Sequence, residues 1–139
     1  MQDRPTLREL LDAAEDYLRT DLRPQLEGHA AFHTLVTANV LAIVKRELDG
    51  FETWNAAELE RLRAILGGEG GLHELNVELC RRIRAGEIPI DDPRLLDHLI
   101  RSTLAKVAID NPRYAGYQKA LRQWPQCAPP DAATFDTRR

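Results

Sequence analysis

His29–Leu48 reads HAAFHTLVTANVLAIVKREL and is the longest nearly uninterrupted apolar stretch of the chain. Taken at a helical period, Phe32, Leu35, Val36, Val40, Ile43 and Val44 form one stripe, wider than a surface helix carries. The stretch therefore predicts a central helix covered by neighbours on several sides. Asn39 is the one polar residue in that face. An unpaired buried amide costs about 1–3 kcal/mol, so Asn39 either pins helix register through a backbone carbonyl or a partner such as Asn76, or lines a ligand pocket with Thr37 and His33.

The flanking sequence repeats the helical pattern. Thr6 and Glu9 have capping-box spacing, and Leu7, Leu10, Leu11, Ala14 and Leu18 follow at intervals of three and four to about Asp21, where Pro24 ends or bends the helix. The short link to His29 predicts an antiparallel hairpin. Downstream, Asp49, Gly50 and the residues through Thr53 read as a break, with Asn55 and Glu58 capping a third helix that carries Leu59, Leu62 and Leu66. The run Gly67–Gly71 stops it. A fourth helix places Leu72, Leu75, Leu79 and Ile83 on one face, with basic Arg81, Arg82 and Arg84 at its negative pole and Gly86 as its C-cap. Asp92 and Pro93 open a fifth helix, whose core stripe is Leu96, Leu99, Ile100, Leu104 and Val107, and a short last helix carries Tyr114, Tyr117, Leu121 and Trp124 inward. No stretch alternates as a strand does. The fold class is all-α: a single-domain bundle of five to six helices around the central apolar helix, over residues 1–124, followed by a flexible proline-rich tail at 125–139.

Composition excludes several function classes. At 139 residues, 43% apolar and 29% charged, the chain is long enough for one domain with its own core. Nineteen basic against 22 acidic side chains leave a formal charge of −3, so no global field favours nucleic acid or an acidic membrane surface. No run has the ~18 apolar residues of a membrane span and the N-terminus has no secretory core. A cytoplasmic protein is expected. Cys80 and Cys127 lie in dissimilar surroundings and make no disulfide framework.

Few residues point to chemistry. His29 and His33, four apart, would put two imidazoles on one helix face at a spacing that can share a divalent metal, with Glu27, His73, Glu74, Asp97 or His98 to complete a site. There is no HExxH and no paired ExxH motif, and His98 falls away from its helix's apolar stripe, toward solvent. Ordinary core-edge and surface roles are the expectation for all four histidines. The GGEGG run lacks the ending and preceding strand of a phosphate loop and reads as a connector. Ser102, the only serine, sits mid-helix outside any nucleophile elbow, and Cys80 beside an apolar face reads as inert packing. No catalytic residue and no cofactor is assigned, and the reading leans against an enzyme.

Three stretches, MQDRPTLRELLDAAEDYL at the N-terminus, HAAFHTLVTANVLAIVKREL and TLAKVAIDNPRY at 103–114, resemble a family of short bacterial all-helical proteins with no assigned chemistry. Its members are often encoded beside aminoglycoside-phosphotransferase-like kinases and acyl-CoA dehydrogenases. The resemblance implies a non-catalytic accessory or interaction module for such an enzyme, with Arg113, Tyr114, Tyr117 and Trp124 as a docking surface, since aromatic and arginine side chains are favoured at interface centres. The competing assignment for these residues is that Asn111 and Pro112 end a helix and the rings finish the core. Two other functions remain open: a metal- or small-ligand-binding bundle or enzyme using His29, His33 and Asn39, and a homodimer that pairs exposed stripes, the third helix first among them.

Overall fold

The structure, a computed structural model, describes residues 4–129. It is all-α: α1 is Leu7–Asp16, α2 Gly28–Leu66, α3 Leu72–Arg84, α4 Pro93–Asp110 and α5 Ala115–Gln123, with a short 3-10 turn at Pro125–Cys127 and no strand among the described residues. The chain divides into two compact units, Met1–Asp49 and Gly50–Arg139.

In the N-terminal unit, α1 begins with the expected capping box. The Glu9 N–H donates to Thr6 Oγ1 at 3.2 Å and the Thr6 N–H to Glu9 Oε2 at 2.7 Å. After Asp16 the helix widens into a π-helical turn, Tyr17–Leu22, and closes in a 3-10 turn at Arg23–Gln25. The cause is local. Pro24 has no N–H to continue the ladder, and the Arg23 N–H reaches back five residues to the Leu18 carbonyl.

The chain then returns antiparallel as the first part of α2, as the short link predicts. Polar pairs fix the register. Lys45 Nζ donates to Asp12 Oδ1 at 2.6 Å and lies 2.7 Å from Glu15 Oε2; Arg19 Nε donates to Glu15 Oε1 at 2.7 Å and its Nη2 to Asn39 Oδ1 at 2.9 Å; and Arg8 pairs with Asp12 and Asp49. Burial pushes the Glu15 carboxyl up, yet Lys45 and Arg19 outweigh it and hold the group below the usual carboxylate range. Lys45 is raised by the same two carboxylates against its own desolvation.

These pairs overturn the expected burial of the central stripe. The α2 side chains buried in this unit are small, Ala31, Thr34 and Ala38. Phe32, Val36, Val40, Val44 and Leu48 are 60%, 40%, 51%, 40% and 45% exposed. Asn39 is likewise exposed and takes Arg19 as its partner, while Asn76 Nδ2 donates instead to Glu58 Oε1 at 2.9 Å.

A second correction concerns the break at 49–53. The structure is helical straight through to Leu66, because Gly50 acts as a packing notch and not as a stop. A Cβ at Gly50 would lie 2.8 Å from the ring of Trp54 one turn on. Trp54 is 8% exposed and needs that space.

The C-terminal unit holds two apolar clusters. Leu62, Leu66, Leu75, Leu79, Ile88 and Leu95 form one, and Trp54, Leu104, Ala108, Tyr117 and Cys127 the other. Complete burial of Leu62 removes the third-helix segment as an exposed pairing stripe. Gly67, at φ +69°, ends α2 in the left-handed region where a side chain is strained, and Arg82 Nη1 donates to the Leu66 carbonyl at 3.1 Å. The basic end of α3 thus satisfies the end of its neighbour as well as its own dipole. Glu74 Oε2 accepts from the Gly71 N–H at 3.0 Å, Gly86 follows α3 at φ +70°, and Asp92 Oδ1 accepts from the Arg94 N–H at 2.8 Å. Within the segment 125–139 expected as a tail, Pro125–Cys127 is a 3-10 turn, and Cys127 is 3% exposed within the second cluster. The rest of that tail, 130–139, lies outside the described residues.

Candidate functional site

The face that α4 buries differs from the one its leucines predict. Leu95, His98, Ser102, Leu104 and Ala108 are buried, whereas Leu96 and Leu99 are each 44% exposed. His98 and Ser102, four residues apart, share a helix face one turn from each other. At 2% and 8% exposure both are inside, which corrects the assignment of His98 to solvent. The His98 Nδ1, Ser102 Oγ and Tyr117 hydroxyl oxygen atoms are buried without a hydrogen-bond partner.

The charges around His98 come from two helices, Arg61 and Glu58 of α2 and Lys106 and Asp97 of α4. Burial first, and the positive charge of Arg61 second, hold the imidazole below its ordinary range. It is therefore neutral at pH 7. Arg61 is itself pushed down by burial and by Arg101. Arg101 Nε donates to both Asp97 carboxylate oxygens at 2.9 Å, and Cys127 Sγ donates to Asp97 Oδ1 at 3.6 Å. Burial raises the Cys127 thiol and the Tyr117 hydroxyl.

A neutral imidazole near a hydroxyl has the composition of a base and nucleophile pair, but substrate must reach it. A cleft in this unit, of about 240 Å³, is lined by Leu99, Ile100, Thr103, Leu104, Ala120 and Trp124, and by neither His98 nor Ser102. Its one polar side chain is Thr103. The cleft suits an apolar side chain, and the His98–Ser102 pair belongs to the packed interior.

Of the four residues expected to dock a partner, Arg113 and Tyr114 are exposed, Trp124 is half-buried on the cleft wall, and Tyr117 is 4% exposed in the second cluster. In the N-terminal unit, the rings of His29 and His33 meet edge to face with centroids 4.3 Å apart, and Phe32 stands against His33 at 5.5 Å. Both histidines are exposed, as is Thr37, whose hydroxyl donates to the His33 carbonyl at 3.0 Å. Among the described residues, no three His, Cys, Asp or Glu side chains gather as a metal site would need. Cys80 is exposed, not packed.

Sequence reasoning missed His98 and Ser102 as interior residues. The available signal was their spacing from Leu95: positions 95, 98 and 102 form a helical stripe that polar identity hides.

A family model described as a domain of unknown function, DUF6285, matches residues 24–114. No curated protein and no solved structure gives a match. No helix among the described residues is long and apolar enough to cross a membrane.

Proposed function

The chain belongs to the DUF6285 family, and we propose that it serves as a non-catalytic accessory module that docks on a partner enzyme in the cytoplasm. The observation that carries this reading is the apolar cleft between α4 and α5. Leu99 and Trp124 form part of its walls, Leu96 and Tyr114 are exposed at 44% and 58%, and no titratable side chain lines it. Such a cleft can receive the apolar side chains of a partner helix, a recurring recognition mode in which residues at three- and four-residue spacing enter a groove. It offers nothing to polarise a substrate bond. The resemblance to proteins encoded beside aminoglycoside-phosphotransferase-like kinases and acyl-CoA dehydrogenases names the enzymes to test.

The experiment is co-purification of the chain with each such enzyme from its own genome, followed by calorimetric titration. The expected result is a stable complex with one of them, weakened at least tenfold by Leu99→Asp. Leu99 is partly exposed, so that variant should retain its helical circular dichroism. If neither enzyme binds at micromolar concentration, or if Leu99→Asp binds like the parent chain, the reading fails.

A further inference from the structure

We infer that α2 of the N-terminal unit is the contact surface for a second copy of this chain, paired antiparallel about a two-fold axis that passes between Val36 and Val40 on its exposed face. This inference is independent of the partner-enzyme reading and uses a different surface.

Three observations carry it. First, from Gly28 to Val44 the sequence has no Asp, Glu, Lys or Arg, so the helix offers no charge to attract a charged partner. Its small face, Ala31, Thr34 and Ala38, is the buried one in this unit, and its large side chains point elsewhere. Second, the exposed area is sufficient. Phe32, Leu35, Val36, Val40, Val44 and Leu48 are 39% to 60% exposed. Taking roughly 150–250 Å² for a fully exposed large side chain, they offer on the order of 500 Å² per copy. Two copies then bury at most about 1,000 Å², where specific interfaces begin.

Third, size and charge select the direction. An antiparallel two-fold pair sets Phe32 opposite Val44 and Val36 opposite Val40, so that a large side chain meets a small one. It also brings Glu47 to the end of the helix that carries His29. Parallel pairing would stack Phe32 on Phe32 and set Lys45, Arg46 and Glu47 against their own copies, placing like charges together. A two-fold contact that uses the same patch on both copies closes after two chains.

The test is sedimentation equilibrium of the full chain at tens of micromolar. The expected mass is twice the 15.8 kDa of one chain, and Val40→Asp should raise the dissociation constant at least a hundredfold while the helical signal persists. A monomer mass for the parent chain overturns the inference, as does a dimer unchanged by Val40→Asp. A second experiment does not depend on how that variant folds. With exposed Cys80 replaced by serine, Val36→Cys chains are mixed with Val40→Cys chains under mild oxidation. The mixed disulfide should dominate, and preferential formation of the two self-pairs would overturn the antiparallel arrangement.

Discussion

Lowering the pH from 7.5 to 5.5 should cost the parent chain stability that a His98→Leu variant keeps. In the fold the imidazole is neutral, held below its ordinary range by burial and by Arg61. In the unfolded chain it protonates near pH 6.5. Unfolding below that value takes up a proton, so the stability associated with neutral His98 is complete above about 6.5 and is lost as the pH falls toward the lower folded value. For one proton the loss between pH 7.5 and 5.5 is at most about 1.4 kcal/mol. Asp12, Glu15 and Asp97, also depressed in the fold, act with the same sign but below the ordinary carboxylate range near pH 4, outside this window. Leucine fills a similar volume and removes the unpartnered Nδ1, so at pH 7.5 the variant should be as stable as the parent or more so, because a buried polar atom without a partner costs about 1–3 kcal/mol. Urea unfolding followed by circular dichroism at the two pH values measures both differences. Equal losses in the two chains would show that His98 is not the titrating group.

Lys45→Met should destabilise the N-terminal unit by about 1–3 kcal/mol at pH 7, since it leaves the Asp12 and Glu15 carboxylates without their shared cation. That loss should shrink progressively as the pH falls below the ordinary carboxylate range and the carboxyls protonate, which thermal melts at pH 7 and across a series of acid pH values would reveal. Gly50→Ala gains about 1 kcal/mol of helix propensity but places its Cβ 2.8 Å from the Trp54 ring. Overpacking of about 1–3 kcal/mol should win, and a raised melting temperature would show that the indole moves aside. Replacing His29 and His33 together by alanine should change unfolding free energy by less than about 0.5 kcal/mol, because both are exposed; a larger loss in urea titration would place them in the fold's energetics.

Much of the helical plan is written in short-range chemistry. Thr6 with Glu9, Asp92 before Pro93, and Gly86 behind α3 announce helix ends because capping depends on neighbours within four residues. Burial is what short-range patterns do not show. Gly50 reads as a break, but Trp54 one turn on is buried against it and occupies the space a side chain would take. The α2 stripe reads as core because it is apolar, but ion pairs from α1 to Lys45 and Asp49 select the opposite, small-residue face. His98 reads as surface because it falls away from the predicted leucine stripe, while the burial of Leu95 beside it and the charges of Arg61 and Glu58 across from it belong to tertiary packing. The cleft between α4 and α5 follows from the same rotation of α4, which leaves Leu99 outside the core and on the cleft wall. Trp124 stands out by its chemistry, but its place in that wall depends on which way α4 turns.

The contrasting settings of the two cysteines make the chain its own reporter. Cys80 is open to solvent, whereas Cys127 is sealed in the second cluster with its thiol pushed up by burial and hydrogen-bonded to Asp97. A thiol reagent at neutral pH should therefore modify one site promptly and the other only when the Pro125–Cys127 turn lifts from its seat. The slow phase of labelling would clock that opening in the unmodified sequence, and a bound partner that clamps α5 would lengthen it.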